Sequence, residues 1–130
     1  MKTRILIVDD EDVTCHSLKT LLDSFGFETY FATCYDDAIP LVQQFRPEVY
    51  FLDWQLDDGH TGFELAVAVL DLVPDARIAI ISGHDIEHVR KWMPAHLDIP
   101  LLAKPCRIED LLNSVSLSFE NQNSPNHSDP

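Results

Sequence analysis

The sequence predicts an α/β fold: five strand–helix repeats, written (βα)5, that form a doubly wound, five-stranded parallel sheet. Apolar clusters rich in Val and Ile alternate along the chain with stretches in which apolar residues recur at helical spacing. This alternation is typical of a parallel sheet covered by helices. The 130-residue length supplies one hydrophobic core but is too short for two independent ones. We therefore expect a single domain of this class.

Five short apolar segments are the strand candidates. In chain order they cover residues 4–8, 28–32, 48–52, 77–81 and 100–103. The first segment, RILIV, is the most apolar, and it runs directly into four consecutive acidic residues at 9–12. Such a concentration of like charge at the end of a buried strand raises the question of what it serves.

Apolar residues spaced i, i+3, i+4 and i+7 predict the buried faces of the first three helices. The three sets are Leu18, Leu21, Leu22 and Phe25, then Ala38, Leu41, Val42 and Phe45, then Phe63, Ala66, Val67 and Leu70. Residues 85–93 predict a weaker, more polar fourth helix. A last amphipathic helix is marked by Ile108, Leu111, Leu112, Val115 and Phe119. The predicted terminators of the first three helices are Gly26, Pro47 and Pro74.

Charge and composition exclude several classes of function. The chain carries 9 Lys and Arg against 22 Asp and Glu, a net charge of -13, which would repel a phosphate backbone, so we expect no direct nucleic-acid binding by this domain. Apolar runs fall far short of the ~20 residues of a membrane span, and the first ends too early for a secretory signal. We expect no membrane association and a cytoplasmic location. Cys15, Cys34 and Cys106 are widely spaced and odd in number, which favours reduced thiols.

The chain divides into a domain at residues 1–119 and a polar tail at residues 120–130. The tail reads ENQNSPNHSDP and has no apolar period, a composition typical of flexible segments. The sequence leaves open whether this tail is a natural end or the start of a linker to an output domain.

Chemically active side chains follow four of the five predicted strands. Asp9 and Asp10 follow the first strand, Asp53 the third, Ser82 the fourth and Lys104 the fifth. Ligands of open parallel sheets bind at the carboxyl ends of the strands. We therefore expect these five side chains to converge on one site.

Three converging carboxylates repel one another unless a cation lies between them. At ~4 Å and an effective dielectric near ~20, each like-charge pair costs on the order of 4 kcal/mol, so we expect the cluster to serve a function. Oxygen ligands with room for water suit Mg²⁺ better than zinc, which prefers His and Cys. The sequence therefore predicts a Mg²⁺ site at Asp9, Asp10 and Asp53.

Taken together and in this order, the motifs resemble the receiver domain of two-component response regulators. The resemblance rests on VDD at 8–10, LD at 52–53, ISG at 81–83 and KP at 104–105, and it covers residues 4 to about 117. In length the chain is similar to the single-domain chemotaxis type. The resemblance implies the flavodoxin-like strand order 2-1-3-4-5.

The resemblance also implies a role for each matching residue. Asp53 would be the phosphoacceptor, Asp10 a direct Mg²⁺ ligand and Asp9 a ligand through water. Gln55 would give its backbone carbonyl to the metal. A carboxylate that attacks a phosphoryl group needs positive charge around the phosphoryl oxygens, and Mg²⁺ and Lys104 would provide it.

Three further residues belong to the implied switch. Ser82 can donate a hydrogen bond to a phosphoryl oxygen and draw its loop inward when Asp53 is modified. Pro105 resembles the family's usually cis proline, which would aim Lys104 into the cleft. Leu101 stands where the family often has Tyr or Phe, so the switch can repack an aliphatic side chain here but cannot offer a phenol to a partner.

The loop after Asp53, DWQLDDGHTGFEL, departs from the family pattern. Asp57 replaces a common Pro, and the loop is about one residue longer than usual. We interpret His60 as a solvent-exposed loop residue. Trp92, with its neighbours on the fourth helix, is a candidate for a partner-facing patch, because this family usually signals through its fourth helix and fifth strand.

The leading hypothesis for function is a phosphorylation-controlled binding module that is not an enzyme beyond its own phosphorylation and dephosphorylation. The expected partners are a sensor histidine kinase or phosphotransfer protein and a downstream effector or output domain; a homodimer is left open. One alternative is a Mg²⁺-dependent phosphohydrolase with an aspartyl intermediate, which Gln55 disfavours because such enzymes need a second Asp at that position. Another is the N-terminal receiver of a longer transcriptional regulator. A receiver that no longer switches is disfavoured by the complete set of site residues.

Overall fold

Strands and helices alternate in the computed structural model of the chain, which describes residues 2–95 and 97–117. The strands of the described residues are β1 (Arg4–Val8), β2 (Glu28–Ala32), β3 (Val49–Asp53), β4 (Arg77–Ser82) and β5 (Leu101–Ala103). The helices between and after them are α1 (Asp12–Ser24), α2 (Tyr35–Phe45), α3 (Gly62–Leu72), α4 (Ile86–Arg90) and α5 (Ile108–Ser114). Phe119 and the tail predicted at residues 120–130 lie outside the described residues.

The sheet has the strand order β2-β1-β3-β4-β5, and each neighbouring pair is parallel. The predicted fold class and strand order are therefore confirmed. Asp53 pairs with Ile81, and Ser82 pairs with Ala103. Both polar residues are thus the last residues of their strands, whereas the sequence placed them just beyond the strand ends.

Alternate residues of the interior strand β1 enter two separate cores. Leu6 and Val8 pack into the core that includes α2 and α3 residues, while Ile5 and Ile7 pack into the core that includes α1 and α5 residues. Successive strand side chains point to opposite faces, and the apolar residues of this strand fill both of them. The sheet is therefore covered on its two faces, as expected of a doubly wound fold.

Helices α1 and α5 end with the same capping motif. After α1, the N–H of Gly26 donates to the carbonyl of Asp23 (3.0 Å) and that of Phe27 to Leu22 (3.2 Å), and Gly26 has a φ of 97°. This is the Schellman arrangement, in which glycine takes the left-handed position without a steric cost. The predicted terminator Gly26 therefore acts as expected.

Helix α5 is shorter than its apolar pattern predicts. The N–H of Ser116 donates to the carbonyl of Asn113 (3.1 Å) and that of Leu117 to Leu112 (2.8 Å). Ser116 holds the left-handed position with a φ of 61°. Val115 and Leu117 are buried, but they reach the core through this cap and not through a longer helix.

Helix α4 is also shorter than the predicted 85–93 segment. Its last hydrogen bonds change from the α pattern, and the N–H of Trp92 donates to Val89 (3.0 Å) and that of Met93 to Arg90 (3.2 Å). Trp92 is 66% exposed, whereas Met93 packs against the core on the α2–α3 face.

Two further sequence expectations concern membranes and cysteines. Within the described residues, no helix has the length and apolar character needed to cross a bilayer. Cys15, Cys34 and Cys106 are all free thiols. Burial, followed by the charge of Asp9, raises the pKa of the Cys15 thiol to about 11, so this thiol stays protonated near neutral pH.

Candidate functional site

The acidic and basic side chains predicted at the strand ends do converge. The Nζ atom of Lys104 lies 3.3 Å from Oδ1 of Asp53 and 3.4 Å from Oδ2 of Asp9. Carboxylate oxygens of Asp9, Asp10 and Asp53 all lie within 4.8 Å of one another. Residues distant in the sequence therefore form one site at the carboxyl end of the sheet.

Backbone hydrogen bonds extend the sheet beyond the strand ends and position these residues. The N–H of Asp9 donates to the carbonyl of Ala32 (3.2 Å), that of Trp54 to Ile81 (2.8 Å) and that of Lys104 to Ser82 (2.8 Å). Each donor belongs to a site residue or its immediate neighbour. The peptide bond between Lys104 and Pro105 is cis, the form that the family resemblance implies.

The two carboxylates that face Lys104 are buried. Asp9 is 6% exposed and Asp53 is 8% exposed. Burial and the neighbouring charge of Asp9 raise the pKa of Asp53, although Lys104 opposes this shift. Burial tends to lower the pKa of Lys104, but the charges of Asp53 and Asp9 outweigh it and raise the pKa. Lys104 therefore stays protonated near neutral pH, and its positive charge limits the rise in the pKa of Asp53.

Asp10 has a raised pKa of about 6, against an ordinary value of 3.8. Burial is the first cause, followed by a hydrogen bond to Asp57 and the charge of Asp57, and then by the charge of Asp53. Asp57 is the residue that replaces a common Pro in the family pattern, and no motif predicted it as a site residue. Asp57 brings a fourth acidic side chain to the site, since it lines the same cavity as Asp10 and Asp53.

The site opens into a cavity of about 510 Å³. Its lining consists of Asp10, Asp53, Trp54, Gln55, Leu56, Asp57, Gly59, Ser82, Gly83, His84 and Lys104. The close donor atoms of Asp9, Asp10 and Asp53 are all carboxylate oxygens. A hard divalent cation fits this donor set, and zinc fits it poorly because nitrogen and sulfur donors do not contribute to it.

Ser82 and the loop after it form a further wall of the cavity. Ser82 is 1% exposed, and its Oγ accepts a hydrogen bond from the N–H of His84 at 2.9 Å. A ring nitrogen of His84 donates to Oε1 of Gln55 at 2.9 Å. This hydrogen bond joins the loops after β3 and β4 across the cavity.

His84 is not among the site residues predicted from the sequence. Its position supplied a usable signal, because His84 lies two residues after Ser82 and Gln55 lies two residues after Asp53. Since β3 and β4 are neighbours in the sheet, equal offsets from their ends bring these two side chains together.

The loop between β3 and α3 is anchored to the start of α2. Oδ2 of Asp58 accepts a hydrogen bond from the N–H of Tyr35 (2.8 Å), and Oδ1 accepts one from the N–H of His60 (3.2 Å). The His60 ring stacks on the Tyr35 ring with centroids 4.2 Å apart. The His60 side chain remains 37% exposed, so it is a loop residue, as expected, with a packing role as well.

Two other features adjoin the site. Leu101, the residue in the place of the usual aromatic, is the first residue of β5 and packs against the core on the α2–α3 face. Thr61 is the N-cap of α3 and forms a reciprocal capping box: its side chain accepts from the N–H of Glu64 (3.1 Å), and the Glu64 carboxylate accepts from the N–H of Thr61 (2.9 Å). The cap fixes where the loop ends.

Comparisons with known proteins agree with this geometry. The family model described as response regulator receiver domain matches residues 5–116. The photosynthetic apparatus regulatory protein RegA of Rhodobacter capsulatus is 26% identical over 111 residues, which are 85% of this chain and 60% of RegA. The sensory transduction protein LytT of Bacillus cereus is 33% identical over 84 residues, which are 63% of this chain and 34% of LytT. The chain thus spans less than two thirds of these curated relatives.

Solved structures show the same architecture. A response regulator receiver domain protein (CheY-like) from Methanospirillum hungatei matches with a TM-score of 0.78 at 25% identity, covering 94% of this chain and 97% of that one. A response regulator from Burkholderia pseudomallei, with a phosphorylated aspartic acid, calcium ion and citrate, matches with a TM-score of 0.76 at 27% identity. That match covers 92% of this chain and 70% of the Burkholderia chain.

Proposed function

The chain belongs to the response regulator receiver domain family of two-component signalling, and on this premise we propose that Asp53 is its phosphoacceptor. The phosphoryl donor would be a phosphohistidine of a sensor histidine kinase or phosphotransfer protein. The observation that carries the proposal is the contact of buried Asp53 with the ammonium of Lys104 at 3.3 Å. The phosphorylated aspartic acid of the Burkholderia pseudomallei regulator supports it.

Asp53 acts as the nucleophile in this proposal. One carboxylate oxygen attacks the phosphorus, a new O–P bond forms, and the P–N bond to the donor imidazole breaks with its electron pair leaving on the ring nitrogen. Lys104, at 3.3 Å from Asp53, can donate hydrogen bonds to the phosphoryl oxygens as their charge develops. Asp53 is buried at the end of β3, and this burial restricts its carboxylate to the orientation needed for attack.

We propose Mg²⁺ as the cation of the site. Asp9, Asp10 and Asp53 would hold it, together with the backbone carbonyl of Gln55 on the cavity wall. When bound, the cation supplies positive charge that offsets the charge of the attacking carboxylate and the phosphoryl group. The relative with a calcium ion supports a hard divalent cation at a site of this kind.

Ser82 and Leu101 would carry the response. The Ser82 hydroxyl lies at the end of β4, on the same cavity as Asp53, so it can exchange its contact with the loop for a hydrogen bond to the phosphoryl group. Leu101 on β5 then repacks in place of an aromatic ring. The affected surface includes α4 and its exposed neighbour Trp92, which we propose as the face offered to a downstream effector or output domain.

We further propose that the chain is a signalling module and not a turnover enzyme. Gln55 occupies the position at which aspartyl phosphohydrolases need a second acid, and its side chain accepts a hydrogen bond from His84. An amide cannot exchange a proton with a leaving group as a carboxyl does. The cytoplasm, where kinases with ATP are found, is the proposed location.

A receiver within a longer regulator is the second candidate. It is favoured by the lengths of the relatives, since this chain spans 60% of RegA and 34% of LytT. In that case the output domain would follow the receiver, and the α4 surface would contact it within one polypeptide. The phosphoacceptor chemistry is the same in both cases.

Incubation with Mg²⁺ and a small-molecule phosphodonor, followed by intact-protein mass measurement, tests the proposal. The wild-type chain should gain one phosphoryl group, and Asp53→Asn should gain none. Multiple-turnover release of phosphate from unrelated phosphoesters would instead identify a hydrolase. Equal labelling of Asp53→Asn and wild type would place the phosphoacceptor elsewhere.

A further inference from the structure

We propose that Asp57 is a fourth carboxylate of the divalent-cation site, acting on the cation or on its bound water. The inference rests on the proposed function, because it concerns the same site. It goes beyond that function by giving a role to a residue at which this chain departs from the family pattern. With Asp57 in place, this receiver should bind its cation more tightly than the three strand-end carboxylates alone would allow.

The position of Asp57 is the first support. It lines the same cavity of about 510 Å³ as Asp10, Asp53 and Lys104. After burial, Asp57 is the neighbour that most raises the pKa of Asp10.

The loop that carries Asp57 is the second support, because its own contacts hold it in place. The N–H of Leu56 donates to the carbonyl of His60 (3.0 Å), and the N–H of Gly59 donates to the carbonyl of Leu56 (3.3 Å). The next residue, Asp58, accepts hydrogen bonds from the N–H groups of Tyr35 and His60. Asp58 therefore has a structural role, and the closed turn presents Asp57 to the cavity even though its charge opposes that of Asp10.

The charge balance of the cavity is the third support. Asp9 and Asp53 contact the ammonium of Lys104, and Asp10 and Asp57 line the cavity on which Lys104 is the one Lys or Arg among the described lining residues. Three negative charges are left uncompensated, and a divalent cation reduces them to one. A phosphodonor is itself an anion, so the additional carboxylate makes its approach more dependent on the bound cation.

Isothermal titration calorimetry of the whole chain with MgCl₂ tests this inference. Asp57→Asn keeps the shape of the side chain and removes its charge. We expect it to raise the Kd for Mg²⁺ about tenfold, the lower end of the range for losing a residue that supports a metal site. Asp36→Asn is the matched control, because Asp36 is exposed in the first turn of α2 and its loss changes the net charge equally. It should change the Kd less than about twofold, since exposed charges at a distance are screened.

Thermal unfolding of the metal-free protein tests whether a change in Mg²⁺ affinity arises from a loss of folding. Asp57→Asn should leave the melting temperature unchanged or higher, because it removes repulsion at Asp10, so weaker binding would not arise from unfolding. A Kd for Asp57→Asn equal to that of Asp36→Asn, in a chain that still binds Mg²⁺ and is phosphorylated at Asp53, would overturn the inference and leave the proposed function standing. Wild type that neither binds Mg²⁺ nor accepts phosphate would overturn both.

Discussion

Replacing Gly62 with alanine tests how closely the loop after the phosphoacceptor packs against it. Gly62 is the first residue of α3, and its N–H donates to the carbonyl of Trp54 at 2.7 Å. A Cβ atom there would lie 3.1 Å from the carbonyl carbon of Asp53 and 3.3 Å from Cα of Trp54, and would be closer still to the carbonyl oxygen of Asp53. All three atoms are backbone, so no side chain can rotate away.

The expected cost of Gly62→Ala is about 3 kcal/mol, the upper part of the range for overpacking. Asp53 cannot retreat easily, because β3 is hydrogen-bonded to β1 on one side and to β4 on the other. Without the clash, alanine would stabilise a helix by up to about 1 kcal/mol relative to glycine, so the two effects have opposite signs. At roughly 4 °C per kcal/mol, the melting temperature should fall by roughly 12 °C.

Urea unfolding of Gly62→Ala and of a matched variant, Gly83→Ala, provides the assay. Gly83 also borders the cavity, but a Cβ atom there would meet nothing within 4 Å. Gly83→Ala should change the free energy of unfolding by less than about 1 kcal/mol. If Gly62→Ala proved as stable as Gly83→Ala, the close packing of the α3 start against Asp53 would be refuted.

Two further predictions concern stability. In the folded chain the pKa of Asp10 is about 6, whereas its ordinary value is 3.8. Folding therefore takes up a proton at pH values between about 4 and 6. Metal-free protein should consequently gain stability as the pH falls from about 7 to about 5. The gain in the free energy of unfolding from Asp10 should be about 1 kcal/mol after solvent screening. Urea unfolding at several pH values in EDTA should show this gain, and Asp10→Asn or millimolar Mg²⁺ should remove it. A pH dependence of stability that neither change affects would contradict the assignment to Asp10. Ser116→Gly should stabilise the chain by about 0.5–1 kcal/mol. Ser116 holds the left-handed cap position, which costs a residue with a Cβ atom roughly 1–2 kcal/mol. Glycine avoids this cost, but part of the gain is offset because glycine loses more backbone entropy on folding. A melting temperature below that of wild type would show that the Ser116 side chain is needed there.

The arrangement of the sheet could be predicted because its signals are local. Runs such as RILIV mark strands, helical spacing marks the segments between them, and parallel strands place their carboxyl ends at one edge. Asp9, Asp53 and Lys104 meet for that reason alone. The ends of the strands and helices were harder to predict. The predicted end of α5 was wrong, because Ser116 takes a backbone conformation that favours glycine.

Contacts between loops could not be predicted in the same way. Asp57 and Asp10 line one cavity, and the loop of Asp57 is anchored where Asp58 accepts a hydrogen bond from the N–H of Tyr35, so the arrangement involves three separate segments. No spacing in the sequence encodes the distance between such segments. The hydrogen bond between Gln55 and His84 is an intermediate case, since equal offsets from neighbouring strands could have indicated it.

The identity of the phosphorylated residue is the most direct test of the central claim. After incubation with Mg²⁺ and a phosphodonor, borohydride reduction converts an aspartyl phosphate to homoserine, and peptide mass spectrometry then locates that residue. Homoserine should appear at position 53 alone, and it should be absent when EDTA replaces Mg²⁺ or when Lys104 is changed to Ala. Homoserine at Asp9, Asp10 or Asp57, or its absence from a fully folded wild-type chain, would contradict the proposed site.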